Sequence, residues 1–147
     1  MLKRYRKQSG STIAETGPAL LVIFLLIFFP LIDIIGLSWT YGMCWYLNYK
    51  ISNEIARGKK ADAPAIISEQ VNLVASSSIA SFLGIVPSGI KVASPVFNDT
   101  AQPPTVQVTS SIEAKPFITV PWFQAVPGLN APVTFTISSQ LTRELPM

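Results

Sequence analysis

The sequence predicts an α+β fold: a long N-terminal apolar helix, then a small head with a second helix and a short antiparallel sheet. Three observations carry this. Gly17–Leu37 is a nearly uninterrupted apolar stretch of 21 residues. Ile67, Val71, Val74, Ser78 and Phe82 recur every three or four positions, the spacing of one helix face. Thr105–Glu113 and Val133–Leu141 alternate apolar with polar side chains, as half-buried antiparallel strands do.

The first helix reads as membrane-spanning. From Thr16 to Tyr49 there are 34 residues, and Asp33 is the only charged one. A bilayer core of about 30 Å needs about 20 mostly apolar helical residues, which the segment 17–38 supplies. A chain this small could not cover such a helix on every side. A cleaved signal peptide fits less well, because the apolar run is too long and no small-x-small cut site follows cleanly. Beyond the span, Tyr49–Arg57 keeps a helical pattern, with Ile51 and Ile55 on one face and Lys50 and Glu54 on another, up to Gly58. Thr12–Arg57 as one helix would be about 69 Å long, so it projects well past the bilayer.

Charge sets the orientation. Lys3, Arg4, Arg6 and Lys7 supply +4 within the first seven residues, while residues 11–147 hold seven basic and eight acidic groups. Positive charge before a span keeps that end cytoplasmic. After the span come Trp39, Tyr41, Trp45, Tyr46 and Tyr49, whose amphipathic rings suit the membrane–water interface. The expected organisation is a basic leader over 1–10, a long helix over 11–58 and a periplasmic head over 59–147 that folds as its own unit.

In the head, Asp62 with Pro64 starts the second helix, which ends at Gly84. Nine of the twelve prolines then fall between Pro87 and Pro146. Ile90–Phe97 is a weaker third strand, interrupted by Pro95. Asn98-Asp99-Thr100 fits both a glycosylation acceptor and a turn.

Chemistry is scarce. With no histidine and one cysteine, Cys44, the chain lacks His-ligand metal sites, His-based acid–base catalysis and a disulfide framework. Cys44 reads as a small apolar residue at the membrane edge. Ser76, Ser77 and Ser78 have no evident base, the head's carboxylates are scattered singly, and Gly58-Lys59-Lys60 lacks a P-loop context. The expectation is a non-enzymatic protein with no cofactor, no small-molecule substrate and no nucleic-acid partner.

One constellation stands out: Gly10-Ser-Thr-Ile-Ala-Glu15, behind the basic leader and ahead of the apolar run. Acids at a membrane segment are costly and usually have a partner or a function. The plain alternative is a helix-end acid favoured by the macrodipole. Gly followed at the fifth position by Glu resembles the prepilin peptidase site of type IV pilins and pseudopilins. The chain resembles most the TadE-like minor pilins of tight-adherence (Tad, or Flp) pilus systems. Gly10, Glu15, Pro30, Asp33 and Gly36 carry the likeness, with Ala56-Arg57-Gly58, Val106, Val108, the Pro116–Pro127 stretch and Arg143-Glu144. It departs at Thr16, where the family often has an aromatic residue, and at Pro18.

The resemblance implies a pilin-like long helix with an α+β head and leader removal by a prepilin peptidase between Gly10 and Ser11; the α-amine freed at Ser11 could then pair with the Glu15 carboxylate during assembly. Its implied partners are other pilins, Tad assembly-platform proteins, the peptidase and the lipid bilayer. The other readings are a pseudopilin of a secretion system and a plain single-pass membrane protein with a periplasmic binding head.

Overall fold

A computed structural model describes residues 11–118 and 126–144 of the chain, with side chains from Thr16 onward. The first element, α1, spans Ser11–Arg57 as one helix of 47 residues with Pro18 and Pro30 inside it. At 1.5 Å per residue it is about 70 Å long.

This helix changes character at Asp33. None of residues 16–32 is buried, and large apolar side chains such as Leu21, Phe24 and Ile27 stand bare. From Asp33 onward one face is buried at Gly36, Thr40, Cys44, Leu47, Asn48, Ile51, Ser52 and Ile55. Those intervals trace one continuous helical stripe.

After a single 3-10 turn at Lys60–Asp62 come α2, Ala63–Ala75, and α3, Ser78–Phe82. The sequence reads these as one helix capped by Asp62, and both details are corrected. Asp62 sits in helical backbone geometry (φ −85°, ψ −10°), with no capping bond from its side chain. Its own amide already donates to Lys59 at 3.1 Å, so the turn before it does the starting. The break at Ser76–Ser77 has its own cause: the Ser77 hydroxyl accepts the Ala80 amide at 3.1 Å and caps a new helix. Phe82 consequently leaves the inner stripe and is 75% exposed. At the end of α3, Gly84 takes φ +65°, with Ile85 donating to Ala80 and Gly84 to Ser81. That is a Schellman close, and a side chain at Gly84 would strain it.

Four strands follow: β1 Ile90–Val92, β2 Val96–Asn98, β3 Thr105–Ala114 and β4 Val133–Thr142. β3 is central. β4 pairs antiparallel along its full length, from Thr105↔Thr142 to Ala114↔Val133. β1 and β2 lie end to end along the other side of β3. Together they are the strand expected over Ile90–Phe97, split at Pro95, which has no amide to give to the ladder.

The core lies between α1 and the sheet. Val106, Val108 and Ile112 point inward from β3, as their alternation predicts, onto Cys44, Leu47, Ile51 and Ile55 of α1. Phe135, Ile137 and Leu141 of β4 are half-buried at the margin. The packed unit therefore begins inside α1, at Asp33, whereas the sequence places the head's start at residue 59. Periodicity showed an apolar face on Ile51 and Ile55 but not what would cover it.

Candidate functional site

Of the positions singled out in the sequence, Lys3, Arg4, Arg6, Lys7 and Gly10 lie outside the described residues. Ser11 and Glu15 belong to the first turns of α1, four residues apart. Residues 11–32 of α1 rise about 33 Å, the thickness of a bilayer core. Among the described residues one helix, from Thr16 onward, is long and apolar enough to cross a membrane.

Asp33 ends the bare stretch. Its carboxylate, 1% exposed, accepts the backbone amides of Phe117 at 2.9 Å and Ile118 at 3.1 Å through Oδ1. The loop after β3 therefore comes back down to the helix. Gly36, one turn on, makes room for it: a Cβ there would meet the Phe117 ring at 2.2 Å. Gly128, with φ +85°, leaves similar room for the Leu37 side chain. The span expected at about 17–38 and the bare stretch differ at this end. Hydropathy counts apolar residues and cannot see that the face of Asp33, Gly36 and Thr40 is taken by the head.

All five aromatics expected at the interface are about half-exposed. Trp39 and Tyr41 follow closely on residue 38. Trp45, Tyr46 and Tyr49 stand about 10–17 Å farther along the helix, Tyr46 in the groove toward α2. Trp45 stacks on Tyr49 at 5.4 Å, and Tyr41 meets Phe135 of β4 edge-on at 5.7 Å.

Under them runs a polar seam that the sequence reading missed. The Asn48 amide donates to the carbonyls of Val108 at 3.2 Å and Ile137 at 2.6 Å. Its Oδ1 accepts the hydroxyls of Ser52 at 3.1 Å and Ser139 at 2.5 Å. One turn earlier, the Cys44 thiol reaches the carbonyls of Ser110 and Phe135. Cys44 is thus part of the head's core, and burial pushes its thiol pKa up against a smaller lowering by a backbone hydrogen bond. Each helix step of four residues, about 6.0 Å, meets a strand step of two, about 6.7 Å. The partners advance together: Cys44 with Phe135, Asn48 with Ile137, Ser52 with Ser139. α1 and β4 therefore run side by side in the same direction. Cys44, Asn48 and Ser52, at intervals of four among Leu47, Ile51 and Ile55, were the available signal.

At the far end of the head, Asp99 binds Lys60 and Arg143, and both cations lie over the Phe97 ring. The Arg143 side chain is 4% exposed. The Asp99 carboxyl is held below its ordinary value, chiefly by the hydrogen bond from Lys60, with Arg143 adding to it against partial desolvation. Asn98 Oδ1 accepts Thr100 Oγ1 and the Ala101 amide, so Asn98-Asp99-Thr100 forms a turn. Between α1 and α2 an apolar groove of about 730 Å³ is lined by Trp39, Met43, Tyr46, Leu73, Val74 and Ile79. Glu54 does not stay with Lys50 on the helix surface; it accepts the Gln70 amide across this junction at 3.1 Å.

These arrangements hold elements in register. Among the described residues no group of three or more His, Cys, Asp or Glu side chains could hold a metal ion. No family model, curated protein or solved structure matches the chain.

Proposed function

We propose that the chain is a minor pilin or assembly subunit of a Tad-type type IV pilus. On this reading α1 holds it in the inner membrane, with the N-terminus cytoplasmic and the head periplasmic. The observation that supports this most is the double use of one helix. Residues 17–32 are apolar and none is buried, while from Asp33 the same helix is the core of the head. A subunit built this way can exchange lipid for neighbouring helices without unfolding its head. The motif Gly10-Ser11…Glu15 at the start of that helix adds the processing chemistry. Partners on this reading are other pilins, the Tad platform, the prepilin peptidase and the bilayer.

Cleavage after Gly10 would free the α-amine of Ser11, cationic at neutral pH with a pKa near 8. Within a chain or between neighbours, that cation and the Glu15 carboxylate offset each other's cost in an apolar bundle. The test is fractionation of tagged protein between membranes and sheared pili, with the N-terminal mass read on each. Glu15→Ala should still insert and lose its leader yet be missing from pili, whereas Gly10→Leu should retain the leader. Glu15→Ala at normal level in pili would refute the pairing. An uncut wild-type N-terminus would favour a plain single-pass protein.

A further inference from the structure

We propose that the free edge of β4, together with the Tyr41–Trp45 flank of α1, binds the same edge of a second copy of this chain, antiparallel and centred on Ser138. The pairing does not depend on the pilus reading, and only the restriction on where it occurs takes α1 as membrane-held.

The first observation is an unguarded edge. Among the described residues β4 pairs only with β3. Its ten residues, Val133–Thr142, contain no charge, no proline and no glycine. Edge strands ordinarily carry charge, proline, bulges or short length to prevent strand addition. The opposite edge has such devices: β1 and β2 are three residues each, separated at Pro95, with Lys91 exposed. β4 has none.

The second observation names the occupant. A two-fold interface demands a surface that complements itself. Around Ser138 the polarity of the strand, though not its residue identities, reads nearly the same both ways. Thr134 would face Thr142 of the other copy, Phe135 would face Leu141, and Thr136 would face Gln140. Ile137 opposite Ser139 is the one unlike pair. Hydroxyl and amide rows pair well across strands, and the half-buried Phe135 gains an apolar neighbour.

The third observation lies above the strand. Tyr41 packs on Phe135, which fixes the Tyr41–Trp45 row on the β4 side of α1, away from the α2 groove. Tyr41 is 51% and Trp45 54% exposed. In the pair, the two helices lie on one face of a continuous sheet, with these rings between them.

Direction then restricts where pairing occurs. Because α1 runs along β4, antiparallel strands carry antiparallel helices. Copies side by side in one membrane point all their β4 strands outward and cannot adopt this arrangement. Copies on facing surfaces, or released from the bilayer, can.

The experiment uses the full chain with Thr134→Cys in one preparation and Thr142→Cys in another; Cys44 is buried and serves as the unlinked control. In detergent, mixing the two should give a disulfide-linked mixed dimer in excess over linkage within either preparation alone. Thr136→Lys in both partners should remove most of it while the thermal melt stays unchanged. Should that variant fail to fold, Gln140→Lys on the same exposed row reads the same interaction. Both variants reconstituted together into dilute vesicles should not link, whereas two vesicle populations, each with one variant, should cluster and link. Equal linkage within each preparation, indifference to both lysines, or efficient linkage within single dilute vesicles would each overturn the proposal.

Discussion

The Asn48 side-chain amide lies 2.6 Å from the carbonyl oxygen of Ile137, 89 residues along the chain. The same side chain also bonds Val108, Ser52 and Ser139, so one buried residue ties α1 to both long strands. A buried carboxamide with all these partners fixes one registry, because a shift of the helix by one turn strands it in an apolar site.

Replacing Asn48 should therefore cost more than its volume. Asn48→Ala leaves two hydroxyls and two carbonyls without this partner, and a loss of about 2–4 kcal/mol is expected. Asn48→Asp should be worse at neutral pH, where a carboxylate would face the carbonyls of Val108 and Ile137, and should partly recover in acid. Melts of the full chain in detergent, followed by near-ultraviolet circular dichroism, measure both. Equal melts for Asn48→Asp and the parent at pH 7 would refute the seam.

Gly36→Ala puts a methyl group into the Phe117 ring, so the ring must move. The variant should melt lower, and Phe117→Ala should cost less in its background than in the parent. A double-mutant cycle reads that coupling. Strict additivity would mean that the two residues do not touch.

Asp33 should be visible in amide exchange. Asp33→Ala removes the acceptor of the Phe117 and Ile118 amides, which should lose protection while amides of β3 keep theirs. Asp33→Asn retains an acceptor oxygen and should lie between. Unchanged exchange at both amides would show that the loop is held by packing alone.

The Asp99 carboxyl has a depressed pKa in the folded state. Its contribution is therefore fully present above the unfolded value of about 3.9 and is lost as pH falls through the lower folded value. Asp99→Asn should narrow the difference between melts at pH 5 and pH 3 relative to the parent, with little change in slope between pH 5 and 7. An unaltered acid limb would count against the Lys60–Asp99–Arg143 cluster.

The boundary of the packed unit predicts fragment behaviour. Residues 59–147 lack Cys44, Leu47, Ile51 and Ile55, all fully buried in the core, and should not melt cooperatively. A fragment starting at Asp33 should. Cooperative melting of the shorter one would place the core elsewhere.

Local pattern was legible and long-range partnership was not. Alternation gave Val106, Val108 and Ile112 their inward face, and the uncharged run gave the long helix. Ser77 shows one limit: a spacing of four from Val74 to Ser78 looks helical, yet a hydroxyl competing for the Ala80 amide breaks it. Asn48 and Asp33 show another. Each sits in a sequence that describes only its own helix, while its partners outside that helix are 60 or more residues away. The Gly10–Glu15 motif was legible as a motif, and the chemistry proposed for it depends on a cut rather than on the fold.

The shared direction of α1 and β4 also bears on synthesis. The helix is finished at Arg57, whereas β4 ends at Thr142, 85 residues later. At about 5–20 residues per second, Asn48 and Ser52 wait several seconds for half of their acceptors to leave the ribosome. During that interval the half of the helix beyond Asp33 is an amphipathic surface without its sheet. The last strand made is thus the one that closes the first element, and any truncation before it leaves the helix seam open.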